Sequence, residues 1–235
     1  IKHFVSKEAF NIDGLGKKIV ENLWNIKLIT LPQDIFNLDY NKIEKLEGWG
    51  RLSITNLKFS INQKKNISLE RFIYSLGIRH IGQENAKLIA KHLKKAVNFF
   101  KLTNQKNLEN LSYIDGIGTT QIQSIKKFFL NKTNVKVLSR LDENLLIENM
   151  TTINNNGLLK DKTFMITGKL NNVSRAEAKS LIEKNSGKII SNVNKKLDYL
   201  IAGEKPTLKK INNANLLNIK IINEKEWLKM LNKTS

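Results

Sequence analysis

The chain has 235 residues, of which 40 are Lys or Arg and 21 are Asp or Glu, giving a formal net charge of +19. This length accommodates two, or at most three, domains of about 100 residues with proper cores, and the charge points to a polyanionic partner. No cysteine is present, which excludes disulfides and thiolate zinc sites within the chain; no apolar run approaches the ~18–20 residues needed to cross a bilayer, and no signal-peptide pattern opens it, so a soluble, intracellular protein is expected.

In chain order, residues 4–11 read as a short helix, and residues 17–25 as a second one with Ile19, Val20, Leu23 and Trp24 on one face. Thr30-Leu31-Pro32-Gln33 reads as a capping box with proline in the first turn, opening a short helix through Phe36. A longer helix is expected over 51–63, carrying Leu52, Ile54, Leu57, Phe59 and Ile61, followed by a linker at 64–66. Leu69, Phe72, Ile73 and Leu76 form a stripe ending at Gly77. Helix 83–94 turns Ala86, Ile89, Ala90 and Leu93 to the core, and one or two short helices fill 96–110. Helices at 119–130 and 133–147 complete a segment in which no strand alternation is visible.

Residues 150–157, rich in asparagine, read as a linker. Beyond it the grammar changes. Phe164-Met165-Ile166 is a continuous apolar run typical of a strand buried on both faces. Ser174-Arg175-Ala176-Glu177 is a capping box opening a helix stopped by Gly187. Ile189-Ile190, Tyr199-Leu200-Ile201 and 219–222 supply three more strands, and Asn223-Glu224-Lys225-Glu226 caps a last helix containing Trp227. Strand and helix alternate, which predicts a small parallel sheet. The expected domains are therefore 1–149 and 158–235. Both are basic: residues 1–149 hold 24 basic and 14 acidic side chains, and residues 150–235 hold 16 and 7.

Within the helical segment one phrase recurs: Ile12-Asp13-Gly14-Leu15-Gly16, Leu46-Glu47-Gly48-Trp49-Gly50, the altered Arg79-His80-Ile81-Gly82, and Ile114-Asp115-Gly116-Ile117-Gly118. Its second glycines lie 34, 32 and 36 residues apart, a period of helix-turn-helix-sized units. Glycines admit positive φ and close backbone approach, while Leu15, Trp49, Ile81 and Ile117 are expected to point inward. Each turn is followed by a helix whose first N–H groups lack internal partners and form a ready anion site. The residues expected at that site are Gly14, Gly16, Lys17, Lys18, Gly48, Gly50, Arg51, Arg79, His80, Gly82, Gly116, Gly118, Thr119 and Thr120. Phosphate suits this set better than a metal, and no metal site is expected.

These phrases resemble helix-hairpin-helix motifs, and their number, spacing and wording are similar to the C-terminal half of bacterial NAD-dependent DNA ligases. Lys2-His3-Phe4-Val5-Ser6 and Phe72-Ile73-Tyr74-Ser75-Leu76-Gly77-Ile78-Arg79-His80-Ile81-Gly82 are close to that family's wording. The second segment resembles a BRCT domain through Thr167-Gly168, Ser174-Arg175, Gly187, Asp198-Tyr199-Leu200-Ile201-Ala202-Gly203 and Trp227. The resemblance implies an all-α domain with four helix-hairpin-helix motifs, followed by a small α/β BRCT domain with a four-stranded parallel sheet. It also implies a grip on backbone phosphates of nicked double-stranded DNA without sequence specificity, in replication and repair, in a bacterial cytoplasm at the nucleoid. Some BRCT domains hold a phosphopeptide, and Thr167, Gly168, Lys209 and Lys210 map onto those roles, although Pro206-Thr207 departs from the usual helix start.

The family's adenylated lysine lies in a Lys-x-Asp-Gly motif, and no such motif exists here. Without that nucleophile the segment is not expected to be catalytic alone. No cofactor is expected on it; NAD, magnesium and zinc are implied for an upstream part with zinc and adenylation modules, and the opening on Ile1 is taken as a cut. The expected partners are nicked duplex, the upstream catalytic domain and a protein recognised by the BRCT domain, with no membrane. A stand-alone repair adaptor with the same two modules is the rival. A helix-hairpin-helix glycosylase is disfavoured because no Gly/Pro-rich stretch leads to a catalytic Asp after the turn.

Overall fold

The structure is a computed structural model, and the residues described are 1–150 and 157–231. The chain divides into two compact units, Ile1–Met150 and Thr151–Ser235. The expected linker at 150–157 lies mostly outside the described residues.

The first unit holds nine α-helices among its described residues: α1 (Lys17–Asn25), α2 (Tyr40–Glu44), α3 (Arg51–Gln63), α4 (Leu69–Ser75), α5 (Gln83–Leu93), α6 (Ala96–Phe100), α7 (Gln105–Glu109), α8 (Thr119–Leu130) and α9 (Lys132–Asn144). Three 3-10 segments join them, at Pro32–Asn37, Lys101–Thr103 and Asn110–Tyr113. One continuous core runs through the unit, from Phe4 to Leu145. At its front, Phe4 and Phe10 stack with ring centroids 4.2 Å apart and Phe36 tilts against both. Farther along, Phe72, Phe99, Phe100, Phe128 and Phe129 make a chain of edge and tilted contacts.

Several sequence expectations need correction. Residues 4–11 form successive turns, not a helix: Phe10 N–H bonds the Phe4 carbonyl and Asn11 N–H the Ser6 carbonyl, with Asn11 at φ 51°. The segment is held from outside, because the buried Arg71 of α4 donates to the Ala9 carbonyl. Trp24 leaves the apolar face of α1 and is exposed, while Val20 and Leu23 are buried. On α3, Leu52 and Phe59 also face outward, and only Leu57 and Ile61 are buried.

The cap ahead of Phe36 uses Asp34, whose carboxylate accepts from the Thr30 and Leu31 N–H groups and the Thr30 hydroxyl. Nor is the unit free of strands. β1 (Asn66–Ser68) and β2 (Leu146–Glu148) pair in parallel, which ends the last helix at Asn144 instead of 147. Three residues per strand are too few to show alternation in a sequence.

The second unit has the four-stranded, all-parallel sheet that the sequence predicts. β3 (Thr163–Thr167), β4 (Lys188–Ile189), β5 (Tyr199–Ala202) and β6 (Lys220–Asn223) lie in the order β4-β3-β5-β6. Phe164, Ile166 and Ile201 turn to one face, where they pack with Ala178 and Ile182 of α10 (Arg175–Lys184) and Trp227 of α12 (Glu224–Leu231). Met165 and Leu200 turn to the other, against Ala214 of α11 (Leu208–Leu216). Both helix starts carry the caps expected. Ser174 and Glu177 exchange side-chain bonds with each other's backbone N–H, at 3.1 and 2.7 Å, as do Asn223 and Glu226, at 2.9 and 2.8 Å.

Candidate nucleic-acid interface

The four recurring phrases fold into four turns with one geometry. In each, the apolar residue between or ahead of the glycines donates its N–H three residues back: Leu15 to Ile12 (3.3 Å), Trp49 to Leu46 (3.2 Å), Ile81 to Ile78 (3.0 Å) and Ile117 to Ile114 (3.1 Å). The residue before it is left-handed, with φ of 86° at Gly14, 81° at Gly48, 64° at His80 and 86° at Gly116. This is the third position of a type II turn, where glycine is favoured and a side chain is strained. His80 therefore keeps the turn while losing the glycine, and Asn85 Nδ2 donates to its carbonyl at 3.0 Å.

The second glycine behaves differently. Gly16, Gly50, Gly82 and Gly118 are the N-caps of α1, α3, α5 and α8, all in extended backbone. Their carbonyls accept the first helical bonds, from Val20, Ile54, Ala86 and Ile122, at 2.9–3.1 Å. None makes a side-chain cap bond, so the first amides of each helix stay directed outward. Among the described residues, no heavy atom beyond the adjoining stretch of chain comes within 4 Å of a Cβ built on Gly16, Gly50 or Gly82; on Gly118 it meets only Gln121 Oε1 at 3.2 Å. Positive φ is thus a property of the first position alone.

The apolar residues point inward as the sequence suggests, with Leu15, Ile81 and Ile117 buried and Trp49 half-buried. The turns also pack in two pairs. Gly14 faces Leu57 of α3, the helix that leaves the second turn, and Gly116 faces Leu88 of α5, the helix that leaves the third. What precedes the turns is less uniform. α2 leads to the second and α4 to the third, but the first follows non-helical turns and the fourth follows the 3-10 segment Asn110–Tyr113.

The candidate side chains are all exposed: Lys17 and Lys18 on the first turn of α1, Arg51 on that of α3, Arg79 and His80 in the third turn, Thr119 and Thr120 on α8. Arg51 Nε lies 3.7 Å from Glu44 Oε1, with 96% of the arginine side chain exposed; so open a pair restrains it little. Sequence reading passed over the acids at the same places. Asp13, Glu47 and Asp115 occupy the second position of three turns, where the third turn has Arg79, and Glu84 sits in the first turn of α5, where α1 has Lys18. The third turn therefore inverts the charge order of the first. Aligning the four phrases residue by residue would have revealed it.

In the second unit, Thr167 meets the start of α11, the helix that carries Lys209 and Lys210. Thr167 is 1% exposed, and its hydroxyl oxygen accepts the Thr207 N–H at 3.1 Å. Gly168, at φ 79°, has its carbonyl bonded by Arg175 Nη2. Lys209 is exposed and Lys210 half-buried. Thr167 thus fastens β3 to the head of α11. A group missed in the sequence is Glu224, 8% exposed, whose carboxylate accepts from the Asn171, Asn172 and Val173 N–H groups and holds the loop before α10.

Among the described residues, no group of three His, Asp or Glu is placed to hold a metal, and no helix is long and apolar enough to cross a membrane.

Residues 71–138 match the family described as helix-hairpin-helix motif, and residues 154–231 match the BRCA1 C Terminus (BRCT) domain. The chain is 80% identical over 234 residues, with 100% of the chain covered, to a protein named DNA ligase from Pelagibacter ubique (strain HTCC1062). It is 41% identical to the DNA ligases of Rickettsia massiliae (strain Mtu5) and Orientia tsutsugamushi (strain Ikeda), with 98% and 99% of the chain covered. In all three the match occupies 35% of the relative, so the chain spans about a third of the length of the curated relatives it matches. Both modules are matched and the whole chain aligns with these DNA ligases, which is consistent with the C-terminal region of a bacterial DNA ligase built of helix-hairpin-helix and BRCT modules.

Proposed function

We propose that the chain is the DNA-gripping and accessory portion of an NAD-dependent DNA ligase that seals nicks in duplex DNA. The observation that carries this reading is the fourfold repetition of one turn, each ending in a helix start without a side-chain cap, with open space in front of the glycine at three of them and only the Gln121 side chain in front of Gly118. Such amides donate to a phosphate oxygen of any nucleotide, and the flanking Lys17, Lys18, Arg51 and Arg79 add charge without reading bases. We count all four turns as helix-hairpin-helix motifs, including the first, whose entry is not helical.

On this reading the covalent chemistry lies elsewhere in the ligase. The chain offers no Lys-x-Asp-Gly nucleophile and no cysteine for a zinc module, so its residues do not fit the adenylation or zinc sites and carry no step through NAD, magnesium or zinc. Its partners are nicked double-stranded DNA, the catalytic part of the same protein and, through the second unit, a protein ligand. The expected place of action is the bacterial cytoplasm, at the nucleoid.

The test is a titration of the chain against nicked and intact duplex over a range of salt. With some six to ten phosphate contacts, affinity should fall by roughly three to five powers of ten between about 50 and 200 mM salt, at a similar slope for unrelated sequences. A flat salt response, or strong preference for one sequence, contradicts the reading.

A further inference from the structure

The four turns do not offer the same chemistry. At the register occupied by Lys18, Glu84 and Thr120 in the others, the second turn carries Leu52, 74% exposed on the first turn of α3. At the register of Asn11, Lys45 and Gly77, the fourth carries Tyr113, 82% exposed at the end of the 3-10 segment Asn110–Tyr113. Apolar residues at these turns are otherwise turned in: Ile12, Leu15, Ile78, Ile81, Ile114 and Ile117 are all buried. Other large exposed side chains of the unit lie away from the turns. Leu130, for example, ends α8, twelve residues after Gly118, about 18 Å along the axis. The fourth turn also has no lysine or arginine beside its glycines, only Thr119 and Thr120.

We infer that Leu52 and Tyr113 are DNA-contact residues that lie on the apolar deoxyribose edges of the groove beside the phosphates held by the second and fourth turns. The inference rests on the DNA-binding reading and deepens it, because it divides the grip into an ionic and a non-ionic part. Each packed pair of turns then presents cationic side chains together with one exposed carbon-rich side chain: Lys17, Lys18 and Arg51 with Leu52 in the first pair, Arg79 with Tyr113 in the second. A leucine or a tyrosine ring cannot replace a phosphate counterion, so its share of the affinity comes from apolar area removed from water and is nearly independent of salt. An exposed aromatic also contributes large contact area while ordering only two side-chain torsions.

The test is equilibrium binding of the full chain to a labelled nicked duplex at several salt concentrations, with melting curves as a check on folding. Leu52→Ala and Tyr113→Ala should each weaken binding by about fivefold at every salt concentration, leaving the slope of log affinity against log salt unchanged. Tyr113→Phe should bind as wild type does, and so should Leu130→Ala. Arg51→Ala should instead lower the slope by about one. Tyr113→Lys, which keeps a long side chain at the site, should steepen the slope by about one. If Leu52→Ala and Tyr113→Ala bind as wild type does while Arg51→Ala is weakened, the inference falls and the DNA-binding reading stands. An unchanged slope in Tyr113→Lys, or an equal loss in Leu130→Ala, also overturns it. A wild-type chain that leaves the duplex unbound at low salt overturns both.

Discussion

Glycine serves opposite purposes in the two units. At the helix starts of the first unit it leaves room: a Cβ on Gly16, Gly50 or Gly82 would meet nothing beyond the adjoining stretch of chain among the described residues. In the second unit it removes a collision, since a Cβ on Gly203 would fall 2.1 Å from the Lys169 carbonyl oxygen and one on Gly168 would fall 2.6 Å from that of Glu204. Those two backbones exchange hydrogen bonds of 2.9 and 2.7 Å between Lys169 and Glu204, a crossing that no side chain could enter. The same residue type is therefore a packing requirement in one unit and a vacant approach in the other. Stability measurements should see the first kind and binding measurements the second.

The sharpest way to break this contrast is Gly203→Val. The rigid Lys169 carbonyl cannot yield, so unit two should lose roughly 3 kcal/mol or more and its melting transition with it, while duplex binding by the first unit persists. Gly116→Val comes next. It combines φ of 86° with a Cβ 3.0 Å from Leu88 Cδ1, and should cost the first unit about 2–3 kcal/mol in a denaturant titration. Gly118→Val, two residues on, meets only the flexible Gln121 side chain in extended backbone. Its stability should change by less than about 1 kcal/mol, yet nicked-duplex affinity should drop about tenfold because the new side chain covers the amides. If Gly116→Val and Gly118→Val proved equally destabilising, the division between the two glycines of the turn would be wrong.

Smaller effects refine the ionic side of the comparison. Replacing Lys17 and Lys18 together by alanine should lower the salt slope by about two without shifting the melting temperature, since both are exposed. Glu84→Gln, the mildest change, should tighten binding at low salt by about twofold by removing a carboxylate from the third helix start, and the gain should vanish at high salt. A Glu84→Gln chain that binds more weakly would show that this carboxylate does not oppose the ligand.

Much of this architecture is legible in the residues because its determinants are local. The glycine spacing announces four turns, and Gly82 still caps α5 although His80 replaces its partner glycine. Ser174 with Glu177 and Asn223 with Glu226 mark two helix starts that the structure reproduces bond for bond. The runs at 164–166 and 199–201 are apolar enough to require burial on both faces, and hence a sheet covered by helices. What misled was equally local: helical spacing placed Trp24, Leu52 and Phe59 on apolar faces that the fold leaves uncovered.

Elements that depend on distant partners were invisible. Residues 4–11 hold their turns against α4 through Arg71, 62 positions from Ala9. β1 exists only because residues 146–148 return beside it, and Thr167 is closed off by a backbone N–H 40 residues away. Backbone sterics and capping act within a few residues, so local residues specify where the chain turns, which helices are capped and what charge surrounds the turns. Which turns pack as pairs, which carbon-rich side chains face water and which polar groups are closed in is set by the assembled fold. Those outcomes depend on contacts between segments far apart in the chain, which no local pattern encodes.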